Sequence, residues 1–296
     1  MTKTTVFALS CAMTAAATYG QAWVSASNGL DGNPCTRTSP CRTFQHAHDV
    51  TASFGQVNVL DPGDYGTLSI TKAITIDGGG LASNLITGGS TGIIVQANAG
   101  DVVQLKNLSL HGNAGGNGIV YSSGSQLHID GVNVNGFGYN CIAASTGSSS
   151  ADLVIKNTSI DNCSSAAINI YGTKLTVEIE NTHSHFVNLG LYVLAGAVTV
   201  SESSFSSPTE NSSGTVGIYA LYYYAPVTIM VDNCVVSGFG AGVQANYGTI
   251  QVSRSTITNS GTGVLAESGA AVNSNGNNSL FNNVANGAFS HVIGLQ

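Results

Sequence analysis

The chain has 296 residues with a formal charge of −7, and charged residues make up 8% of it, against about 25% in ordinary soluble domains. No cluster of Lys or Arg appears anywhere, which excludes nucleic acid as a natural partner, because phosphate binding needs a basic patch. The 43% share of apolar residues is enough to bury a sizeable core, so the low charge does not signal disorder, and no proline-rich or charge-dense linker divides the chain.

Residues 1–22 combine Lys3, an apolar run from Val6 to Ala17, and small Gly20 and Ala22 before Trp23. That is a signal-peptide pattern, which predicts a mature chain secreted to the periplasm or beyond. The run is shorter than the roughly 20 residues a membrane-spanning helix needs, and no later segment approaches that length. Cys11 lies too early in the run to be a lipid-anchor site. Loss of Lys3 with the leader leaves seven basic against fifteen acidic residues.

Residues 23–56 are expected to cap the fold. Cys35 and Cys41 bracket a short Thr-Arg-Thr-Ser-Pro loop, and export permits them to pair. Phe44, Ala47, Val50 and Phe54 then fall at helical intervals, which predicts a short capping helix between Thr43 and Phe54.

Residues 57–296 carry the main signal, an internal repeat. A small residue followed by a β-branched residue or leucine recurs at Gly92-Ile93, Gly118-Ile119, Cys141-Ile142, Ala167-Ile168, Gly190-Leu191, Gly217-Ile218, Gly242-Val243 and Gly263-Val264, at intervals of about 21 to 27 residues. Phase-locked to it are alternating apolar strands with a second apolar residue five positions on: Leu105 to Leu110, Ile129 to Val134, Ile155 to Ile160, Val200 to Phe205 and Val252 to Ile257. Strands this short bury one face and need neighbours, and stacking lap on lap supplies them. The prediction is an all-β, single-stranded right-handed parallel β-helix of about ten laps, two or three strands to a lap, at ~4.8 Å per lap. Helical solenoids and propellers lack support in the periodicity, and Asp77-Gly78-Gly79-Gly80 is an isolated run rather than a calcium-binding repeat. Phe281, Val284, Ala288, Phe289, Val292 and Ile293 are expected to cover the last lap. Cys141, Cys163 and Cys234 are odd in number, so at least one is expected to be a free thiol. Cys141 and Cys163 lie near one lap at different phases, which leaves their pairing open. No Cys/His spacing matches a zinc site.

The segments Trp23-Val24-Ser25 through Asp31, Asn33-Pro34-Cys35, Pro40-Cys41 and Thr43-Phe44 resemble the opening motif of secreted bacterial right-handed parallel β-helix repeat proteins. Asp61-Pro62-Gly63, Tyr65-Gly66 and Ile74-Thr75-Ile76-Asp77-Gly78 extend the likeness over roughly the first quarter of the mature chain. The resemblance implies a pectin-lyase-like superfold, whose members include polysaccharide lyases, glycoside hydrolases, adhesins and proteins of no known activity; fold alone does not choose among them. The polygalacturonase-like set does not carry over: there is no Asp-Asp pair, and His111 sits in Leu-His-Gly. A lyase needs a base and a cation beside its uronate, and Arg254 is the single arginine beyond Arg42.

Several groups stand out as candidate sites. The position after each strand anchor reads Lys106, Asp130, Lys156 and Glu180, with Glu178 on the same face. As chemistry, this ladder would supply a lysine base with acidic partners able to hold calcium; as structure, it is a set of cross-strand ion pairs. Tyr192, Tyr219, Tyr222, Tyr223 and Tyr224 concentrate on two neighbouring laps, flanked by Tyr171 and Tyr247, where the repeat is longest. An exposed tyrosine stripe there would bind sugar rings, and the alternative is that the rings fill turns. His183 and His185 form a two-ligand metal candidate beside Glu178 and Glu180, against ordinary exposed turn histidines. Asp61, Asp64 and Asp77 read as turn residues, or as calcium ligands.

The sequence therefore points to an exported coil that binds an extracellular glycan or another surface partner along one face. A polysaccharide lyase or glycoside hydrolase using the charged ladder is the first alternative, and a structural or adhesive rod the second. No cofactor other than calcium is suggested.

Overall fold

The computed structural model describes residues 19–86, 90–147, 150–208, 212–221, 225–267 and 269–294. It is 58% strand and 3% helix, wound into a right-handed parallel solenoid of about nine turns. Most complete laps have three strands, as in Thr249–Ser253, Thr256–Thr258 and Thr262–Ala266, after which Ala271–Ser274 starts the next circuit; in two laps the second and third sides run together as Ser159–Ile170 and His183–Val193. The first strand of every lap joins one sheet of 12 strands, and the other two sides share a second sheet of 17. The successive laps pair in parallel, Ile129 lying between Leu105 and Ile155, and Ile155 against Ile179.

Alternation decides what goes inside. Leu105, Ile129, Ile155, Ile179, Val200, Val231 and Val252 form one inward ladder and are all buried; each such side chain contributes about 1.5–3 kcal/mol relative to exposure. The five-residue offset to Leu110, Val134, Ile160, Phe205 and Ile257 brings the second strand's side chains into the same interior. The small residue before each third strand is required by close approach. A Cβ on Gly217 would lie 2.2 Å from Val236 Cγ1 and 2.6 Å from the Gly242 carbonyl.

In seven successive laps the first corner is turned by one residue with positive φ, at Asn107, Gly131, Asn157, Asn181, Glu202, Asn233 and Arg254. Asparagine tolerates that conformation better than other side chains because its short amide can hydrogen-bond locally. Here the amides also bond between laps: Asn157 Nδ2 donates to Asp130 Oδ1 at 2.8 Å, and Asn181 Nδ2 to Asn157 Oδ1 at 2.8 Å.

At the amino-terminal end Tyr19–Val24 pairs with Thr51–Val59, and Ala22 is buried. This first strand thus straddles the boundary expected after residue 22; the rest of the expected leader, residues 1–18, lies outside the described residues. The capping helix is Phe44–Val50, with Thr43 Oγ1 accepting from the His46 N–H. It is shorter than the periodicity suggested, because Thr51 already begins a strand and Phe54, at φ 65°, is exposed. Cys35 and Cys41 are disulfide-bonded, with Cα atoms 4.6 Å apart. Beside them Asp61 gathers Ser25 Oγ (2.7 Å), the Ala26 N–H (2.7 Å), the Ser27 N–H (3.2 Å), Ser27 Oγ and the Tyr65 hydroxyl (2.7 Å).

The carboxy-terminal end departs from expectation. Residues expected to cover the last lap extend the coil instead, through Ser279–Phe281, Ala285–Gly287 and His291–Val292, each paired in parallel with the lap before. Phe281, Val284, Val292 and Ile293 are therefore exposed, and only Phe289 of the group packs against the core. Cys141 and Cys163 form a second disulfide that ties two successive laps, Cα atoms 5.7 Å apart, and Cys234 is the buried free thiol.

Candidate functional site

The coil separates its chemistry onto two faces. Outward side chains of the 12-stranded sheet form rows along the coil axis, one residue per lap. In one row Asp77, Lys106, Asp130, Lys156 and Glu180 align, followed by Ser201 and Asp232. The ladder expected from the repeat is thus a real row. Two residues earlier runs a parallel row of Gln104, His128, Val154 and Glu178.

Lys156 Nζ lies 2.9 Å from Glu178 Oε1 and 2.7 Å from Glu180 Oε2. These hydrogen bonds, that to Glu178 first, push the lysine pKa up, so Lys156 is held as a cation and is a poor proton acceptor near neutrality. Asp77 and Asp130 turn towards the corner asparagines, accepting from Asn107 (3.0 Å) and Asn157 (2.8 Å). Lys106 has no ion-pair partner among the described residues. A shallow groove of about 540 Å³ lies over these rows, lined among others by Gln104, Lys106, Gln126, His128 and Lys156. Burial, then the positive charges of Lys106 and Lys156, lowers the pKa of His128; Glu178 and Asp130 oppose this in part. The imidazole is neutral near pH 7 and is the group here with base character. Sequence reasoning missed it, although Gln126, His128 and Asp130 alternate outward on one strand.

Arg254 does not reach this groove. Its guanidinium is engaged by Asp232 through both carboxylate oxygens, Nε to Oδ1 at 2.9 Å and Nη2 to Oδ2, and that contact raises its pKa. His183 Nδ1 is 2.9 Å from Ser204 Oγ, and His185 packs edge-on against Phe186 at 3.9 Å, so each imidazole has a local role. Asp64 and Asp77 accept from the N–H groups of Gly66 and Gly79 two residues on, as turn residues do. Among the described residues one group, Cys35, Cys41 and His46, has metal-ligand atoms close together, and its two sulfurs are joined in the disulfide.

The second face belongs to the third strand of each lap. Its outward row reads Ile94, Val120, Ala143, Asn169, Tyr192, Tyr219, Gln244 and Leu265. The adjacent row, two residues on, includes Tyr171, Leu194, Leu221, Asn246 and Glu267, whose N–H groups each bond to the preceding lap. Tyr192 and Tyr219 stack, ring centroids 5.4 Å apart and planes at 23°. One face of each ring is therefore spent on the other, leaving outer faces, edges and hydroxyls for a ligand. Burial raises both phenol pKa values, with Tyr192 and Glu267 adding to the shift at Tyr219. Gln244 Nε2 donates to Asn246 Oδ1 at 2.8 Å and to Glu267 Oε1 at 3.3 Å. Tyr222, Tyr223 and Tyr224 lie outside the described residues. The leucines and amides between the tyrosines were not anticipated; the signal available was their constant distance from each repeat's opening pair.

No family model matches the chain, and comparison with curated proteins gives no match. Solved structures do match. The pectate lyase Pel9A superposes with a TM-score of 0.59 at 14% identity, covering 93% of this chain and 80% of the lyase. A GH136 lacto-N-biosidase from Eubacterium ramulus superposes with a TM-score of 0.56 at 11% identity, covering 93% of this chain and 68% of the other. At such identity the likeness concerns backbone architecture. The three-sided laps, the inward ladders and these superpositions together identify the pectin-lyase-like parallel β-helix fold.

Proposed function

We propose that the chain is an exported, non-catalytic β-helix that binds extracellular glycan along the face carrying Tyr192 and Tyr219. The observation that carries this reading is the stacked pair itself: two half-buried aromatic side chains on consecutive laps, set among leucines and amides on a rigid sheet. Aromatic rings with polar tips beside neutral hydrogen-bonding groups are what a sugar surface requires. Two disulfides suit an oxidising compartment. The structural neighbours, a pectate lyase and a lacto-N-biosidase, lend the reading general support. The test is retention of the purified chain by immobilised polysaccharides, compared with Tyr192→Ala, Tyr219→Ala and a triple alanine variant of Tyr222 to Tyr224. Unchanged retention in all variants removes the reading.

A second reading is favoured by one specific observation, the neutral His128 between two lysines in the groove of the other face. It makes the chain a polysaccharide lyase or hydrolase with His128 as the base. Incubation with a polysaccharide panel, with and without calcium, follows new reducing ends and unsaturated uronate absorbance. Turnover that disappears in His128→Ala would replace the first reading with this one.

A further inference from the structure

Resting on the glycan-binding reading, we infer that the ligand is an uncharged, extended polysaccharide lying along the coil axis, with about one sugar residue to each lap. The two faces differ sharply in charge. Asp77, Lys106, Asp130, Lys156, Glu180 and Asp232 all belong to the 12-stranded sheet. On the tyrosine face the outward rows hold no Lys or Arg, and Glu267 is their one ionised group among the described residues. A uronate or sulfate laid there would lose hydration without gaining a cation, beside Glu267 and on a chain of net charge −7.

What the face does offer is neutral. The Tyr192 and Tyr219 hydroxyls remain protonated donors, and neither has a hydrogen-bond partner among the described residues. Asn169, one lap before Tyr192 in the same row, adds a neutral amide. Leu194 and Leu221 flank the rings and suit the C–H faces of pyranoses.

The spacing selects the shape. Equivalent side chains recur once per lap at ~4.8 Å, and the tyrosine centroids are 5.4 Å apart. An extended, equatorially linked sugar chain advances by about one pyranose length per residue, comparable with the lap spacing of ~4.8 Å, so its contacts stay near the row over the few laps from Asn169 to Leu265. A coiled α-linked chain leaves the row after its first contacts.

The test measures binding of the purified mature chain to cello-, manno- and xylo-oligosaccharides of increasing length, with amylose and polygalacturonate as comparison arms. We expect affinity for at least one neutral β-linked series to rise up to about five units, one per lap from Asn169 to Leu265. That binding should be insensitive to salt, since no charge pairs form, about tenfold weaker in Tyr219→Ala and unchanged in Lys156→Ala. Circular dichroism checks that each variant is folded, and Tyr219→Phe separates the hydroxyl from the ring. Salt-sensitive polygalacturonate binding that depends on Tyr219 would overturn the uncharged class while leaving the glycan reading intact. Amylose binding equal to the β-linked series would overturn the extended shape. Retention of no saccharide in any arm would remove both the inference and the glycan reading beneath it.

Discussion

Replacing Asp61 by asparagine tests the amino-terminal clasp in a way that the geometry quantifies. The carboxylate accepts from Ser25, Ala26, Ser27 and Tyr65, joining the strand that ends at Val24 to the turn after Val59. Hydrogen bonds to a charged group contribute about 1.5–3 kcal/mol each. Ser27 is exposed, so water can replace its partner, and the net loss corresponds to about two such bonds, or ~3 kcal/mol. At about 2–4 °C per kcal/mol for chains of this size, the melting temperature should fall by ~6–12 °C if the cap unfolds with the coil. Burial alone would raise the pKa of Asp61, but its hydrogen bonds to Ser27, Ser25, Tyr65 and Ala26 together hold the carboxyl well below its ordinary value. A carboxyl lowered in the fold stabilises fully above its unfolded pKa of about 3.9, and this contribution declines as pH falls towards the lowered value. Urea unfolding followed by circular dichroism from neutral to acid pH should therefore show Asp61→Asn weaker at neutral pH, with a gap that narrows below about pH 4. A variant within about 0.5 kcal/mol of the natural chain at neutral pH, the range of ordinary surface substitutions, would refute the reasoning.

Four further outcomes are expected. Gly217→Ala places a methyl 2.2 Å from Val236 Cγ1 and should destabilise by at least about 1–3 kcal/mol, the cost of overpacking, measured by urea unfolding. Cys163→Ser opens the link to Cys141, whose sequence separation is 22, and should cost about 2–4 kcal/mol, measured by urea unfolding under non-reducing conditions. Lys156→Met removes two partly exposed ion pairs, so the loss should stay below ~2 kcal/mol and shrink in high salt. By NMR, His128 should titrate below the usual 6.5, because burial and then Lys106 and Lys156 disfavour its cation. Lys106→Ala should raise that midpoint, and the stability tied to His128 should be full at neutral pH and fall as the pH drops.

Much of the architecture was legible because a stacked coil imposes phase on its sequence. Ile155 and Ile160 repeat at the spacing of Val252 and Ile257 since each pair spans one corner, so alternation alone placed Lys106, Asp130, Lys156 and Glu180 in one outward row. The Cys35–Cys41 bridge was legible for a local reason, its short loop. The Cys141–Cys163 bridge was not, because it joins residues at different phases of successive laps. His128 escaped notice because a row of charges was easier to see than the mixed row beside it. The corner role of Asn107, Asn157 and Asn181 depends on a backbone dihedral that composition does not reveal. At the carboxy-terminal end, apolar content suggested a cover, yet Phe281 and Val292 continue the strand pattern and add to the coil.

The central claim is that successive laps lie one above another in parallel register. Gln104, Met230 and Asn273 occupy one outward row, with Met230 five laps and Asn273 seven laps beyond Gln104. Nitroxide labels placed pairwise at these positions in a Cys234→Ser background, and measured by pulsed electron resonance, should give single narrow distances near ~24 and ~34 Å at ~4.8 Å per lap. Broad distributions, or a Gln104 to Asn273 distance no longer than that to Met230, would contradict the account.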